Sequence, residues 1–302
     1  MTVSTIGITG ANGFIGSAVV RELLDSGHEV VGLVRSDAAA AAVQQAGAEV
    51  LRGSIEDLET LTHGADAADG VIHTAYIHDF SGAGDPAEFA RTDGRAIEAM
   101  GEALAGSGRP LVVTAGLPAP APGHVATEED AVPDNPAYPR VSERTALAFA
   151  GRGVRAASVR LAPTVHGEGD PHFVPALIGI ARAKGLSAYV GDGSNRWCAV
   201  HRLDAARLFR LALEEAPAGA RLNGVGDEGV PFRDIATVIG RHLDVPVAGI
   251  SPEEAAGHFG LFGLFASIDV PASSALTQKR LGWHPVHPGL IADLDEGHYY
   301  KA

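Results

Sequence analysis

The chain holds one cysteine, Cys198, in 302 residues. A lone thiol excludes an internal disulfide framework and a thiolate zinc cluster, and it suits a reducing compartment. Positive charge is also short: 23 Lys and Arg stand against 37 Asp and Glu, a formal net charge of -14, with no basic cluster. Phosphate backbones and anionic bilayers are held by basic patches, so neither nucleic acid nor a membrane is an expected partner. An anionic cofactor must rely on local donors instead. No apolar run has membrane-spanning length, and no basic segment followed by an apolar one opens the chain, so a leader is not expected and the expected location is the cytoplasm. What is plentiful is apolar side chain, 46% of residues. That is ample for a chain that folds alone, as one large domain or a domain with a lobe.

Residues 5–24 carry the clearest pattern. A short β-branched run reaches Gly10, and Phe14, Ile15, Val19, Val20, Leu23 and Leu24 follow with helical spacing, which reads as strand, tight turn and helix. Gly10 permits the bend, Gly13 lets a pyrophosphate approach bare backbone, and Gly16 lets the helix lie close on the strand. The helix N-terminus adds N–H donors and positive dipole. Asn12, Phe14 and Ile15 complete this turn as candidate cofactor contacts, and a dinucleotide is the expected guest. A glycine-rich hairpin also spaces its glycines, but it is not followed by a helix. Written out as Thr-Gly-Ala-Asn-Gly-Phe-Ile-Gly, the segment resembles the signature of the extended and atypical short-chain dehydrogenase/reductases.

Residues 28–35 read as the second strand. Its end faces the adenosine ribose, where an acidic residue would hold a 2′-hydroxyl; Arg35 and Ser36 instead suit a 2′-phosphate. NADP is therefore expected over NAD, the alternative being a solvated arginine beside Asp37. After an alanine-rich helix at 38–46, residues 49–57 form the third strand and its loop. The resemblance places this loop against the adenine and makes Ser54 and Ile55 contacts, with Ser54 where the family usually carries aspartate. Residues 70–76 are the fourth strand, and the resemblance sets Thr74, Ala75 and Tyr76 beside the pyrophosphate. His73 and His78 lack a third ligand at metal spacing, so no metal is expected. A helical pattern at 89–105 and a strand at 110–116 continue the alternation, which implies a doubly wound parallel sheet, the Rossmann arrangement, with ligands at the strands' carboxyl ends. Residues 117–123, rich in Pro, Ala and Gly, are expected to be irregular and to border the pocket.

The resemblance implies a Ser or Thr at the end of the fifth strand and a Tyr-x-x-x-Lys on the next helix. A phenol would protonate the oxyanion made by hydride attack on a carbonyl, and a hydroxyl would hold the geometry. Thr114 and Tyr138 take these places, ahead of a helical run at 141–150. Four residues past Tyr138 stands Ser142 instead of lysine. Lowering a tyrosine pKa from near 10 to near 7 takes roughly 4 kcal/mol, which a neutral serine does not supply by charge. Arg140 and Arg144 are candidate substitutes; the alternative is that Tyr138, between Pro136 and Pro139, only packs at the helix start.

The sixth strand, 155–161, runs into residues resembling the family's segment near the nicotinamide, which makes Pro163 and Val165 wall residues. His166 replaces the family's tyrosine and is either a second proton donor or an ordinary loop histidine. A smaller substrate lobe is expected beyond it, the division being 1–166 with 199–216 returning, against 167–198 and 217–302. In the lobe, 173–184 reads as an amphipathic helix and 191–200 as a turn and strand; 200–206 and 276–285 resemble further family segments. Asp204 reads as an N-cap. Trp197 and His201 either face substrate or pack the lobe, and Phe259, Leu261, Phe262, Leu264 and Phe265 are expected in its core, the alternatives being a cap on a substrate pocket or a subunit contact. A dimer through 89–105 and 141–150 is a family expectation.

Together these readings describe an NADP-dependent reductase of a small carbonyl compound, an aldehyde or ketone. Two alternatives stand beside it. One is a sugar-nucleotide epimerase or dehydratase, disfavoured by the lobe's lack of basic clusters. The other is a redox sensor that binds dinucleotide without turnover, which the retained Thr114 and Tyr138 weigh against.

Overall fold

A computed structural model describes residues 3–77, 84–131 and 139–301, the Leu261 side chain apart. In the first half strands and helices alternate: β1 (Thr5–Thr9), α1 (Phe14–Asp25), β2 (Glu29–Val34), α2 (Asp37–Gln45), β3 (Glu49–Arg52), α3 (Leu58–Ala67), β4 (Gly70–His73), α4 (Pro86–Leu104), β5 (Pro110–Gly116), α5 (Ser142–Ala148) and β6 (Arg155–Leu161). Then come β7 (Thr164–His166), α6 (Phe173–Lys184), β8 (Ser187–Val190), β9 (Arg196–His201), α7 (Arg202–Glu215), β10 (Ala220–Gly224), β11 (Asp227–Pro231), α8 (Phe232–Leu243), β12 (Val247–Ile250), α9 (Pro252–Phe259), α10 (Gly263–Ser267), α11 (Ala275–Leu281) and α12 (Leu290–Asp295).

Seven strands pair in the order β10-β6-β5-β4-β1-β2-β3, every pair parallel. The doubly wound sheet is thus as expected. Successive residues of β5 serve opposite faces: Leu111 and Val113 pack with α3, α4 and α5, while Val112 joins the cluster under α1 and α7. That is why these strands are apolar runs and not alternating ones. The winding reverses between β1 and β4, so the crevice at their carboxyl ends is the place for a ligand.

The second core gathers α6, α8, α9, α12 and strands β9 and β11 of the three-stranded sheet β11-β9-β7 around Trp197, which stacks on Phe173 at 4.0 Å between centroids. Trp197 is buried, so it packs the lobe and does not face a cleft; replacing it by alanine would cost roughly 3–5 kcal/mol.

Three expectations are corrected. The lobe does not take all of 217–302: β10 is the outer strand of the large sheet, paired with β6, and Trp283 lies in that sheet's core with Nε1 donating to the Asp204 carbonyl. A five-residue strand shows too little periodicity to reveal this. Asp204 is no N-cap, since α7 starts at Arg202 with His201 at the cap; its carboxylate accepts instead from the backbone N–H groups of Val286 and His287. Of the apolar residues near 260, Phe259 is core, but Leu264 is 73% and Phe265 43% exposed. No described helix is long and apolar enough to cross a membrane.

Candidate functional site

The turn between β1 and α1 is closed by backbone. Gly13 N–H donates to the Gly10 carbonyl at 2.9 Å, and Gly10 takes φ +71° with the Thr74 hydroxyl and Ala75 amide directly beneath it. A Cβ on Gly16 would stand 2.0 Å from the Gly10 oxygen, so only glycine brings α1 this close. Gly13 caps α1 without a side chain, and the first helical turn has no acidic residue. Its N–H groups are therefore offered outward to an anion, as a dinucleotide's pyrophosphate requires. Thr74 Oγ1 donates to the Thr9 carbonyl at 2.8 Å, which locks the end of β4 against this turn. Gly10, Gly13, Gly16, Thr74 and Ala75 are thus brought together.

At the end of β2, Arg35 is exposed and has no partner among the described residues. The nearby Asp37 pairs with Arg52 instead. Ser36 accepts the Ala39 N–H as N-cap of α2 and keeps its own O–H to donate. Gly53 N–H bonds the Val34 carbonyl, setting Ser54 beside this strand end, where Ser54 Oγ accepts the Glu56 N–H and Ile55 packs partly buried.

Beneath the crevice runs a buried chain of polar groups. Ala75 N–H donates to Thr9 Oγ1, which lies 2.8 Å from His73 Nδ1; His73 Nε2 lies 3.0 Å from Asp93 Oδ1. Ser142 Oγ donates to Asp93 Oδ2 at 2.6 Å. A hydrogen on His73 Nε2 satisfies every partner. Both ring nitrogens are engaged by protein, which leaves His73 no lone pair for a metal; His78 lies outside the described residues. Asp93 was missed in the sequence, although a carboxylate between Ala90 and Ile97 on the apolar side of α4 is its signal.

Thr114 is half-buried at the end of β5 and donates to the His73 carbonyl at 3.1 Å. Tyr138 lies outside the described residues. Ser142 is fully buried and bound to Asp93, so the position that resemblance gives to lysine presents nothing to a ligand. The cation here is Arg140, half-buried, its Cζ 3.8 Å from the centroid of the Tyr76 ring and its Nε 3.5 Å from Ser142 Oγ. It pairs with no carboxylate among the described residues. A second such cation, Arg202 of α7, stands over Phe14, whose ring also meets His172 edge-on at 6.2 Å. Nothing in the sequence pattern singles out Arg202.

On the lobe side, Pro163 is exposed and Val165 half-buried on β7. His166 is fully buried on β7 with Nδ1 2.8 Å from Asp293 Oδ2, while its Nε2 has no partner among the described residues; of the two readings of this histidine, its burial favours a packed group over a donor at the crevice. His201 stacks on His287 at 4.8 Å and accepts the Leu203 N–H through Nδ1. Burial, with His166 and His287 nearby, pushes the His201 imidazole down to about 4. Burial pushes the Asp170 carboxyl up to about 6. Cys198 is buried on β9 and its thiol is pushed up, which leaves it inert.

Compared with known proteins, residues 6–223 match the NAD dependent epimerase/dehydratase family. An uncharacterized protein of Schizosaccharomyces pombe is 52% identical over 97% of this chain and 99% of its own. The 2-alkyl-3-oxoalkanoate reductase of Stenotrophomonas maltophilia is 29% identical over 76% of this chain and 72% of its own. Among solved structures, MoeE5 in complex with UDP-glucose and NAD is 25% identical, covers 96% of each chain and superposes with a TM-score of 0.73.

Proposed function

The chain belongs to the NAD dependent epimerase/dehydratase family, an NAD(P)-dependent superfamily of oxidoreductases and epimerases, and on that premise we propose that it is an NADP-preferring reductase of a small, uncharged, partly apolar carbonyl compound. Arg35 carries the cofactor preference: it is a cation without a counter-charge at the strand end that meets the adenosine ribose, with the Ser36 hydroxyl beside it. The reductase name of the Stenotrophomonas relative supports the reaction.

When bound, the dinucleotide supplies hydride to the carbonyl carbon. The glycine-rich turn holds its pyrophosphate, and Thr74, Ala75 and Tyr76 line the same crevice. Thr114 orients the carbonyl oxygen once its hydroxyl turns to it from the His73 carbonyl, and Tyr138 gives that oxygen its proton. A phenol with an ordinary pKa near 10 is protonated at neutral pH, so carbonyl reduction is the direction in which turnover is easiest to see. Arg140, over Tyr76, supplies the positive charge that Ser142 does not. A second copy of the chain is proposed to pack on α4 and α5, as in the family resemblance.

The test is to incubate the protein with NADPH and a panel of aldehydes and ketones and to follow the cofactor absorbance. Loss of absorbance is expected, with NADH much less efficient. Tight cofactor binding without turnover on any carbonyl would promote the sensor reading, and interconversion of nucleotide sugars without net cofactor change would promote the epimerase. Tyr138→Phe should cost far more than a few-fold in turnover; a smaller loss removes its role.

A further inference from the structure

Phe14 opens α1, and the residue above it comes from the start of α7, the helix packed beside α1. The Arg202 guanidinium lies over the Phe14 ring, Cζ 4.9 Å from the centroid. Its Nη1 donates to the Glu168 carbonyl at 3.0 Å, while Nε and Nη2 have no acceptor among the described residues, and no carboxylate pairs with it there. The side chain is nonetheless half-buried. Gly167, at φ +135°, makes room for its stem, since a Cβ there would stand 3.1 Å from Arg202 Cγ; a Cβ on Gly169 would lie 3.8 Å from Nη1. A carbonyl and an aromatic face thus hold the cation in place without a counter-charge, and Gly167 leaves room for its stem. Partial burial of an uncompensated guanidinium is costly unless an anion joins it. The Arg202 guanidinium stands beside the first turn of α1, whose N–H groups have no side-chain cap and which contains no acidic residue.

We infer that Arg202 is a ligand of the dinucleotide's pyrophosphate, reaching over from the neighbouring α7 so that the anion lies between a guanidinium and the N-terminus of α1. The inference rests on the dinucleotide reading above and adds to it a residue outside the glycine-rich turn. It also explains the loop at 167–172: the Glu168 carbonyl holds Nη1 and His172 meets the Phe14 ring edge-on, so this loop aims the cation.

Calorimetric titrations test it with two probes, NADPH and adenosine 2′-monophosphate, which lacks the pyrophosphate. Arg202→Met keeps the packing on Phe14 without the charge. Arg202→Gln keeps a donor for Glu168 and serves if the first variant does not fold. Either is expected to weaken NADPH about tenfold or more, to leave adenosine 2′-monophosphate unchanged, and to flatten the salt dependence of NADPH binding. NADPH affinity within twofold of wild type overturns the role. So does equal weakening of both probes, which marks a loosened fold. If wild-type protein binds neither NADP nor NAD, the dinucleotide reading falls and this inference with it, a result distinct from the other two.

Discussion

Ser142 Oγ lies 2.6 Å from Asp93 Oδ2, and neither side chain reaches solvent. The same carboxyl group holds His73, so α5, α4 and β4 meet at one buried side chain. Where resemblance gives a lysine facing the cofactor, this chain places a hydroxyl whose proton is committed to α4. The cation stands two residues earlier, at Arg140 over Tyr76.

Asp93 therefore carries structural weight. Asp93→Ala leaves His73 Nε2 and Ser142 Oγ without their acceptors in a closed space, and the expected loss is about 2–4 kcal/mol. Urea denaturation measures it. A loss under about 1 kcal/mol would mean that the buried chain is dispensable.

The glycine-rich turn is intolerant at its third glycine. Gly16→Ala puts a methyl 2.0 Å from the Gly10 oxygen, so either the turn opens or α1 moves away. Calorimetry should show dinucleotide affinity falling by tenfold or more, with a lower melting temperature. Wild-type affinity would show that the turn is not the binding element.

Arg35 governs the choice between cofactors in the proposed function. Arg35→Met should weaken NADPH about tenfold or more and leave NADH nearly unchanged, because charge-assisted hydrogen bonds to the 2′-phosphate contribute about 1.5–3 kcal/mol. Steady-state kinetics with both cofactors gives the ratio, and an equal effect on the two would refute the preference.

Asp170 and His201 set opposing pH dependences. With its carboxyl pushed up to about 6, Asp170 in the folded chain keeps a proton that the unfolded chain releases from about pH 4, so its contribution falls as pH rises through 6. His201, pushed down to about 4, refuses a proton that the unfolded chain takes up below about 6.5, so its contribution falls as pH drops. The two offset each other between pH 4 and 6. Asp170→Asn removes the first: it should be more stable than wild type at pH 7 by up to about 3 kcal/mol and converge with it toward pH 4. Thermal melts across pH 4 to 8 decide, and a variant less stable than wild type at pH 7 contradicts the account.

Much of the nucleotide end was legible because its signals are local. Strand, glycines and helix follow one another within residues 5–24, and the rest of the parallel sheet follows from alternating apolar periods. The polar interior was not legible. His73 stood out as a histidine without a task, and only its neighbours Thr9 and Asp93 explain it. For His166 the pattern leaves a donor and an ordinary histidine both open, and its burial and its partner Asp293 are visible only in the folded chain.

By itself the amino-acid order determined the β1 turn, the doubly wound sheet and the candidate cofactor end at Arg35, because periodicity, glycine freedom and charge act over a few residues. The folded arrangement alone decided that β10 rejoins the large sheet, that Ser142 belongs to Asp93 and that Arg202 stands over Phe14. Those contacts join residues tens to nearly two hundred positions apart, and such partners are fixed by sheet register and helix packing, which no local pattern encodes.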